Sequence, residues 1–209
     1  VVGNEPASSL SKGRAFGVEF LYQQKMLKNF FGILSYTLVT SEFTNADNEL
    51  APSSWDNGNM LSVTLGKNFK SNWSVGVKYQ YSGATPYTPY DIPTSSLIAS
   101  WDARQTAVLD YNVINTRRNS TFSSLDLRVD KKWYLNKVNL DLYIDIQNIL
   151  GAETTFQPNL TTQTDMDGNN IIDPNDPTRY LMKTINNASG TILPTIGVIF
   201  EFSAKTKKK

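Results

Sequence analysis

The chain has 209 residues, with 20 basic and 19 acidic side chains and neither histidine nor cysteine. Without histidine it lacks the commonest general base and metal ligand, and without cysteine it lacks thiol and disulfide chemistry. Because no nucleophile elbow is present either, we expect a protein that is not an enzyme and has no cofactor. No apolar run reaches the ~18 residues of a transmembrane helix, whereas the alternating strands of a membrane β-barrel remain allowed.

The net charge of +1 depends on a basic tail, residues 203–209, which holds four lysines. Without those lysines the balance is 16 basic against 19 acidic residues. Such a tail can contact nucleic acid or anionic lipid, but a solvated terminus is the more ordinary interpretation, and we expect no nucleic-acid partner. Since the chain begins at Val1 without a visible signal peptide, we interpret it as part of a longer protein.

Alternation of apolar and polar residues with period two predicts seven strands of ten to fourteen residues. The first two, about 13–25 and 29–42, carry large residues on both faces. The apolar faces of the other five are Leu61, Val63 and Leu65; Trp73, Val75, Val77, Tyr79 and Tyr81; Leu125, Leu127 and Val129; Val138, Leu140, Leu142, Ile144 and Ile146; and Ile196, Val198, Phe200 and Phe202. Soluble strands usually have ~5–6 residues, whereas tilted membrane strands need ~9–11, so these lengths favour a membrane barrel.

Short and long connections alternate along the chain. The short turns lie near 25–28, 70–72 and 135–137, and the long polar segments are 43–57, 84–120 and 150–190. This alternation is typical of outer-membrane barrels, which have short periplasmic turns and long extracellular loops. We therefore expect the short turns, and Phe202 at the end of the last strand, to lie on the periplasmic side.

Aromatic residues are concentrated beside the short turns. The predicted membrane-interface aromatics are Phe69, Trp73, Trp133, Tyr134 and Phe202. Rings with one polar edge prefer the headgroup zone of a bilayer, and Lys131 can extend its ammonium into the same zone. A soluble β-protein would more often place these rings in the middle of a core.

The polar faces of the predicted strands carry charges that a dry core would not accept without partners. The predicted lumen-facing residues are Lys78, Asp126, Arg128, Asp141 and Asp145. Their ordinary role would be ion pairs and hydrogen bonds between strands, and contact with solute is the alternative. Seven strands cannot enclose a hydrated or plugged lumen, so further strands are missing from this chain or come from another; a transporter barrel of ~22 strands with a plugged lumen would provide them. The sequence thus predicts an all-β fold, a transmembrane antiparallel up-and-down β-barrel, of which residues 1–202 are the C-terminal part.

Several segments resemble the TonB-dependent receptors of Bacteroidetes, from about residue 11 to 202. The segments that carry the resemblance are Ser54-Trp-Asp-Asn-Gly-Asn-Met-Leu-Ser62, Asn72-Trp-Ser-Val-Gly-Val77, Ser82-Gly-Ala-Thr-Pro-Tyr-Thr-Pro-Tyr-Asp91, Leu125-Asp-Leu-Arg-Val-Asp-Lys-Lys-Trp133, Leu142-Tyr-Ile-Asp-Ile-Gln-Asn148 and Ser189-Gly-Thr-Ile-Leu-Pro-Thr-Ile-Gly197. Two features depart from the family: Gly58-Asn59 stands where Arg-His is common, and seven residues follow Phe202.

The resemblance implies energised uptake of a siderophore, glycan or peptide across the outer membrane of a Gram-negative bacterium. It also implies a plug domain and a TonB-contact segment, neither of which lies in these 209 residues. Outer-membrane lipid would surround the strands, and a surface lipoprotein would be a further partner, acting as a lid. The alternative is an adhesin or signalling receptor on a similar barrel without transport, and a third interpretation is a soluble β-protein.

Two loop segments contain candidate ligand-binding residues. In segment 84–120 these are Tyr87, Tyr90, Trp101, Arg104 and Tyr111, which would suit stacking on a solute and pairing with an acid group, or else packing between loops. In segment 165–175 the oxygen ligands Asp165, Asp167, Asn169 and Asp173 resemble a calcium loop. Gly168 and Asp176 do not match the EF-hand spacing, so an Asx/Gly turn is the favoured interpretation.

Overall fold

The computed structural model describes residues 11–45 and 47–202, and most of them belong to β-strands. The predicted basic tail, residues 203–209, lies outside the described residues. The strands β1 to β14 are Gly13–Leu27, Phe30–Thr44, Leu50–Pro52, Gly58–Asn68, Trp73–Ser82, Pro86–Tyr87, Arg117–Arg118, Phe122–Tyr134, Val138–Gln147, Thr154–Thr162, Ile172–Asp173, Asp176–Tyr180, Met182–Ser189 and Leu193–Phe202. Two α-helices, α1 (Ile92–Ser96) and α2 (Ile98–Arg104), and two 3₁₀ turns, Lys70–Asn72 and Tyr111–Val113, complete the described elements.

One large antiparallel sheet contains all seven predicted strands. Its order is β1-β2-β4-β5-β8-β9-β14, with the short β3 added beside β2. Each long strand pairs with the next long strand of the sequence, so the up-and-down arrangement is confirmed along with the all-β class. The sheet is not closed into a barrel, because β1 and β14 are its two edges.

The pairing register keeps the apolar side chains on one face. Ile144 of β9 lies opposite Val129 of β8 and Ile196 of β14. Directly opposed residues share a face, and successive residues alternate, so the whole apolar set of these strands points the same way. A slip of one residue would move every one of these side chains to the polar face.

The apolar face of the sheet is exposed. Phe20, Ile144 and Phe200 of this face are 55%, 45% and 60% exposed. Among the aliphatic and aromatic residues of 11–45 and 47–202, only Ala51, Trp101 and Leu160 are buried, and all three lie outside the seven long strands. A sheet in water normally buries its apolar face against another layer. In the described part of the chain this face is instead left open.

The three predicted short turns are confirmed, and they lie at one end of the sheet. Between β1 and β2 the turn residues Lys28 and Asn29 both have positive φ, 49° and 64°. This is the backbone of a type I′ turn, whose twist fits a tight hairpin, and asparagine tolerates it well. The turns at 69–72 and 135–137 join β4 to β5 and β8 to β9 at the same end.

The long segments at the opposite end hold more regular structure than the sequence predicted. Segment 84–120 contains α1 and α2, and segment 150–190 contains a hairpin of β10 with β13 and a smaller one of β11 with β12. Asp91 caps the N-terminus of α1: its carboxylate accepts a hydrogen bond from the Thr94 amide at 2.9 Å, and Pro93 lies in the first turn of the helix. That start signal is local, but period-two alternation does not include it. With five and seven residues, neither helix is long and apolar enough to cross a membrane, and none in the described residues is.

Candidate functional site

Charged side chains of β5, β8 and β9 lie together on the polar face of the large sheet. Lys78 is the cross-strand partner of Asp126, and Arg128 is the partner of Asp145. Asp141 lies four residues before Asp145 and therefore on the same face. All five residues predicted to share a polar face are thus brought together. Four of them, all but Asp141, line a groove of about 350 Å³, which we call the polar groove.

Neighbouring groups satisfy most of these charges. Arg128 binds Asp130 in a fork, with its Nη2 at 2.7 Å and its Nε at 3.0 Å from Oδ1. Lys132 lies 3.2 Å from the carboxylate of Asp141. A charge taken partly out of water needs such a partner. Lys132 is not among the predicted lumen-facing residues, although its even position in β8 places it on the face of Asp126 and Arg128.

Asp126, in the polar groove, links β8 to the residues between β9 and segment 150–190. Its Oδ1 accepts hydrogen bonds from the Ser124 hydroxyl at 2.7 Å and from the Asn148 amide at 2.9 Å. Asn148 in turn exchanges hydrogen bonds with the backbone of Ala152, each at 3.0 Å. The carboxylate therefore fixes the direction in which the chain leaves β9.

An aromatic ring covers a glycine beside these ion pairs. The guanidinium carbon of Arg128 is 3.9 Å from the centre of the Tyr143 ring, within the range of a cation–π contact. The ring also lies against Gly197 of β14, where an added Cβ would overlap the Tyr143 Cζ and Oη. Tyr143 is therefore held flat between a cation and bare backbone.

A second cavity continues the polar groove towards the long segments. Its volume is about 490 Å³, and it shares Lys78, Asp126 and Gln147 with the polar groove. Hydroxyl and amide groups are prominent in the rest of its lining, among them Ser124, Asn148, Thr154, Ser189 and Thr191. Such groups bind polar solutes through hydrogen bonds, so the continuous surface suits binding or passage of a polar molecule.

The three long segments are tied to one another. Arg118 of segment 84–120 binds Asp56 of segment 43–57, with Nη2 to Oδ2 at 2.5 Å. Asn115 donates to the carbonyl of Pro52 at 2.8 Å. Between the second and third segments, Gln157 donates to the Thr88 carbonyl at 2.9 Å. We call the interlocked segments 43–57, 84–120 and 150–190 the loop layer.

Arg179 and Tyr180 of β12 attach the third segment to the two helices. Arg179 donates to the Pro93 carbonyl and to the Ser96 hydroxyl, the latter at 2.7 Å, and it pairs with Asp176 at 3.0 Å. The hydrogen bonds from Thr178, and then the hydrogen bond and positive charge of Arg179, hold the pKa of Asp176 below its ordinary value. Tyr180 donates to Asp102 at 3.1 Å; partial burial, and then this bond, raise the pKa of Tyr180.

The predicted ligand residues of segment 84–120 have different environments. Trp101 in α2 is only 6% exposed, so its ring packs within the loop layer and offers no face to a solute. Tyr87 in β6 and Tyr90, which forms a β-bridge with Leu109, are half-buried. Arg104 at the end of α2 is exposed, and Tyr111 is 67% exposed. Of the five side chains, Arg104 and Tyr111 are therefore the most open to solvent.

The predicted calcium segment forms a self-contained turn. The Asp165 carboxylate accepts hydrogen bonds from the amides of Asp167 and Asn169 at 3.0 Å and 2.8 Å. Those bonds, led by the one from Asn169, lower the pKa of Asp165. Gly168 supplies the positive φ of 85° that the turn needs. This is the Asx/Gly turn favoured above, and within residues 11–45 and 47–202 no three acidic side chains converge as metal ligands.

The predicted interface aromatics lie where the sequence placed them, at the short-turn end, and all five are exposed. Their exposed fractions are 49% for Phe69, 46% for Trp73, 39% for Trp133, 64% for Tyr134 and 80% for Phe202. The ammonium of Lys131 is 5.2 Å from the Trp73 ring centre and 5.6 Å from that of Trp133.

No protein-family model matches the sequence, and no curated protein is significantly similar to it.

Proposed function

We propose that the chain is part of the transmembrane β-barrel of a TonB-dependent outer-membrane receptor, and that it takes part in energised uptake of a nutrient. The observation that carries the proposal is the exposure of the sheet's apolar face. Side chains such as Phe20, Ile144 and Phe200 are about half exposed, while the opposite face holds ion pairs. This inverts the arrangement of a water-soluble sheet and fits strands with lipid on one side and a hydrated lumen on the other.

The ends of the strands support the same orientation. Aromatic rings and lysines surround the short turns, and the interlocked loop layer occupies the other end. In outer-membrane barrels the turns are periplasmic and the long loops are extracellular. The loop layer would then meet the solute first, and the 490 Å³ cavity and the polar groove would form part of its path.

The two open edges agree with a larger barrel. Unpaired edge strands of ten or more residues expose backbone donors and acceptors that a bilayer would not tolerate. Further strands would pair with β1 and β14 and close a barrel of ~22 strands around a plug. The residues of the polar face would then contact the plug or the passing solute.

Single cysteines test the membrane orientation, because the natural sequence contains none. Leu65→Cys lies on the apolar face of β4 and Ser62→Cys on the polar face, three residues away. When the complete barrel is in phospholipid vesicles, we expect Leu65→Cys to react with an apolar maleimide but not with a sulfonated one, and Ser62→Cys to react with both. Equal labelling of both variants by the sulfonated reagent would exclude a lipid-facing sheet; unfolding in urea is the control for intrinsic reactivity.

Transport itself is tested by the coding sequence that precedes Val1 and by uptake. A plug of ~120–150 residues, the size of an ordinary domain, with a TonB-contact segment before it would support transport. A signal peptide directly before Val1 would contradict it. In the bacterium that encodes the protein, uptake of the nutrient should stop when a protonophore dissipates the proton gradient. An adhesin or signalling receptor would instead keep its ligand bound at the cell surface.

A further inference from the structure

We propose that the short-turn end of the sheet binds anionic phospholipid headgroups of the phosphatidylglycerol type. This inference rests on the proposed function, because it requires strands that sit in a bilayer. The surface consists of the three short turns with their flanking residues, 25–31, 67–73 and 131–138, and we call it the basic rim. The sheet topology gathers these three segments, which are far apart in sequence, at one end.

The charge of the basic rim is of one sign. Its three segments contain seven lysines and no aspartate or glutamate: Lys25, Lys28, Lys67, Lys70, Lys131, Lys132 and Lys137. The connections at the opposite end, residues 45–57, 83–121 and 148–192, contain eleven acidic and five basic residues. The sheet is therefore electrically polarised along its strands, with the positive end at the short turns.

Most of the rim's lysines are not neutralised by nearby carboxylates. Lys132 pairs with Asp141 and has Glu201 as a more distant neighbour, both on the polar face. Asp130 on that face is taken by Arg128. Among the described residues, Lys25, Lys28, Lys67, Lys70, Lys131 and Lys137 form no ion pair. A bilayer headgroup with a net negative charge would supply the missing partner.

Aromatic rings fix the depth at which these lysines would sit. Lys131 lies between the rings of Trp73 and Trp133, and the ammonium of Lys67 is 5.4 Å from the centre of the Phe69 ring. Indole rings partition to the headgroup zone of a membrane, so ammonium groups beside them would stand at the level of the lipid phosphates. Zwitterionic lipids carry a compensating cation there, whereas phosphatidylglycerol does not, and this difference is the source of the selectivity.

Quenching of tryptophan fluorescence by brominated lipids measures this selectivity. The chain is reconstituted within its complete barrel, with every tryptophan except Trp73 and Trp133 replaced by phenylalanine. The phosphatidylcholine vesicles contain a minor fraction of brominated phosphatidylglycerol or of brominated phosphatidylcholine. Trp73 and Trp133 report on lipids that contact the basic rim. We expect stronger quenching by brominated phosphatidylglycerol, and we expect added salt to weaken that preference.

Two triple variants test whether the preference for phosphatidylglycerol comes from the basic rim. K28Q/K70Q/K137Q removes three turn lysines and should lower the preference by up to roughly fivefold for each lysine at low ionic strength. The matched control, K12Q/R117Q/K183Q, removes three positive charges from the opposite end and should leave the preference unchanged. Lys131 lies beside the Trp73 and Trp133 rings. Adding Lys131→Gln to K28Q/K70Q/K137Q should therefore lower the preference for phosphatidylglycerol further.

The outcomes separate this inference from the proposed function. Equal quenching by the two brominated lipids would overturn the basic rim as a phosphatidylglycerol surface while leaving a membrane-embedded sheet intact. An equal loss of preference in both triple variants would also overturn it, because the effect would then be one of net charge. Quenching by neither lipid would show that the chain is not in the bilayer, and both proposals would fail.

Discussion

The ring of Tyr143 lies directly on the backbone of Gly197, its cross-strand neighbour on the polar face of the sheet. A Cβ at position 197 would overlap the end of that ring, so the position has room for hydrogen only. The same ring lies 3.9 Å from the Arg128 guanidinium carbon. A change at Gly197 would therefore disturb β14, β9 and β8 together.

We expect Gly197→Ala to destabilise the sheet, because Tyr143 must leave its position and lose its contact with Arg128. Overpacking of this kind typically costs about 1–3 kcal/mol of unfolding free energy. The measurement is urea unfolding in detergent micelles, followed by tryptophan fluorescence.

Gly76→Ala is the matched control for that substitution. Gly76 is also a strand residue of the polar face, but the nearest atom to an added Cβ is the Leu65 carbonyl oxygen at 3.9 Å. We expect a change within about 0.5 kcal/mol there, as at an unconstrained surface position. The account of Tyr143 would be wrong if both substitutions had the same cost, or if Tyr143→Ser failed to relieve the cost of Gly197→Ala.

Asp56 is the main polar anchor between the first two segments of the loop layer. It is 7% exposed, and it accepts hydrogen bonds from the Ser41 amide at 3.0 Å and from Arg118 at 2.5 Å. Asp56→Ala would leave both donors without their acceptor, which we expect to cost about 2–4 kcal/mol. Limited proteolysis of segments 43–57 and 84–120, together with thermal unfolding, measures the loss.

The ion pair of Arg14 with Glu42 provides the comparison for Asp56. Its N–O distance of 2.6 Å is similar, but the two side chains are 57% and 22% exposed. We expect Glu42→Ala to cost under about 1 kcal/mol, as is usual for surface pairs. Equal costs for the two substitutions would contradict the anchoring role of Asp56.

The positions of the long strands could be predicted from the sequence, whereas the contacts within the loop layer could not. The strand Val138–Gln147 and the short turn before it are encoded by neighbouring residues, and the local sequence pattern located both. The pair of Arg118 with Asp56 joins residues 62 positions apart, and the bond of Arg179 to Ser96 joins residues 83 positions apart. The alternation of apolar and polar residues cannot predict such contacts, because they depend on how the sheet brings its long connections together.

Trp101 distinguishes packing from ligand binding within segment 84–120. Because its ring is 6% exposed, we expect Trp101→Ala to open a cavity and destabilise the loop layer by about 3–5 kcal/mol. Tyr111→Ala, at a ring that is 67% exposed, should leave stability within about 0.5 kcal/mol. Hydrogen exchange of residues 84–120 provides the measurement. If Trp101→Ala left that exchange unchanged, the ring would not hold the layer together, and its role as a ligand residue would be restored.

Acid should loosen the loop layer before it affects the sheet. Asp91 caps α1, and hydrogen bonds with Thr94 hold its pKa below the ordinary value of 3.8. Asp176, whose pKa is also lowered, holds Arg179 against the carbonyl of Pro93. A carboxyl group whose pKa is lower in the folded state stabilises that state above its unfolded pKa, and the contribution disappears as pH falls through the folded value. The loss should therefore occur below pH 3.8 rather than between pH 4 and 7.

Hydrogen exchange of residues 92–104, compared with that of Val138–Gln147, follows this transition. We expect protection of the helices to fall below pH 3.8 while protection of the strand persists, because the strand's hydrogen bonds are backbone ladder bonds without a titrating partner. Asp176→Asn should weaken the helices at neutral pH and reduce the size of their acid response. If the wild type and Asp176→Asn lost protection over the same range and to the same extent, the lowered pKa of Asp176 would have no part in holding α1.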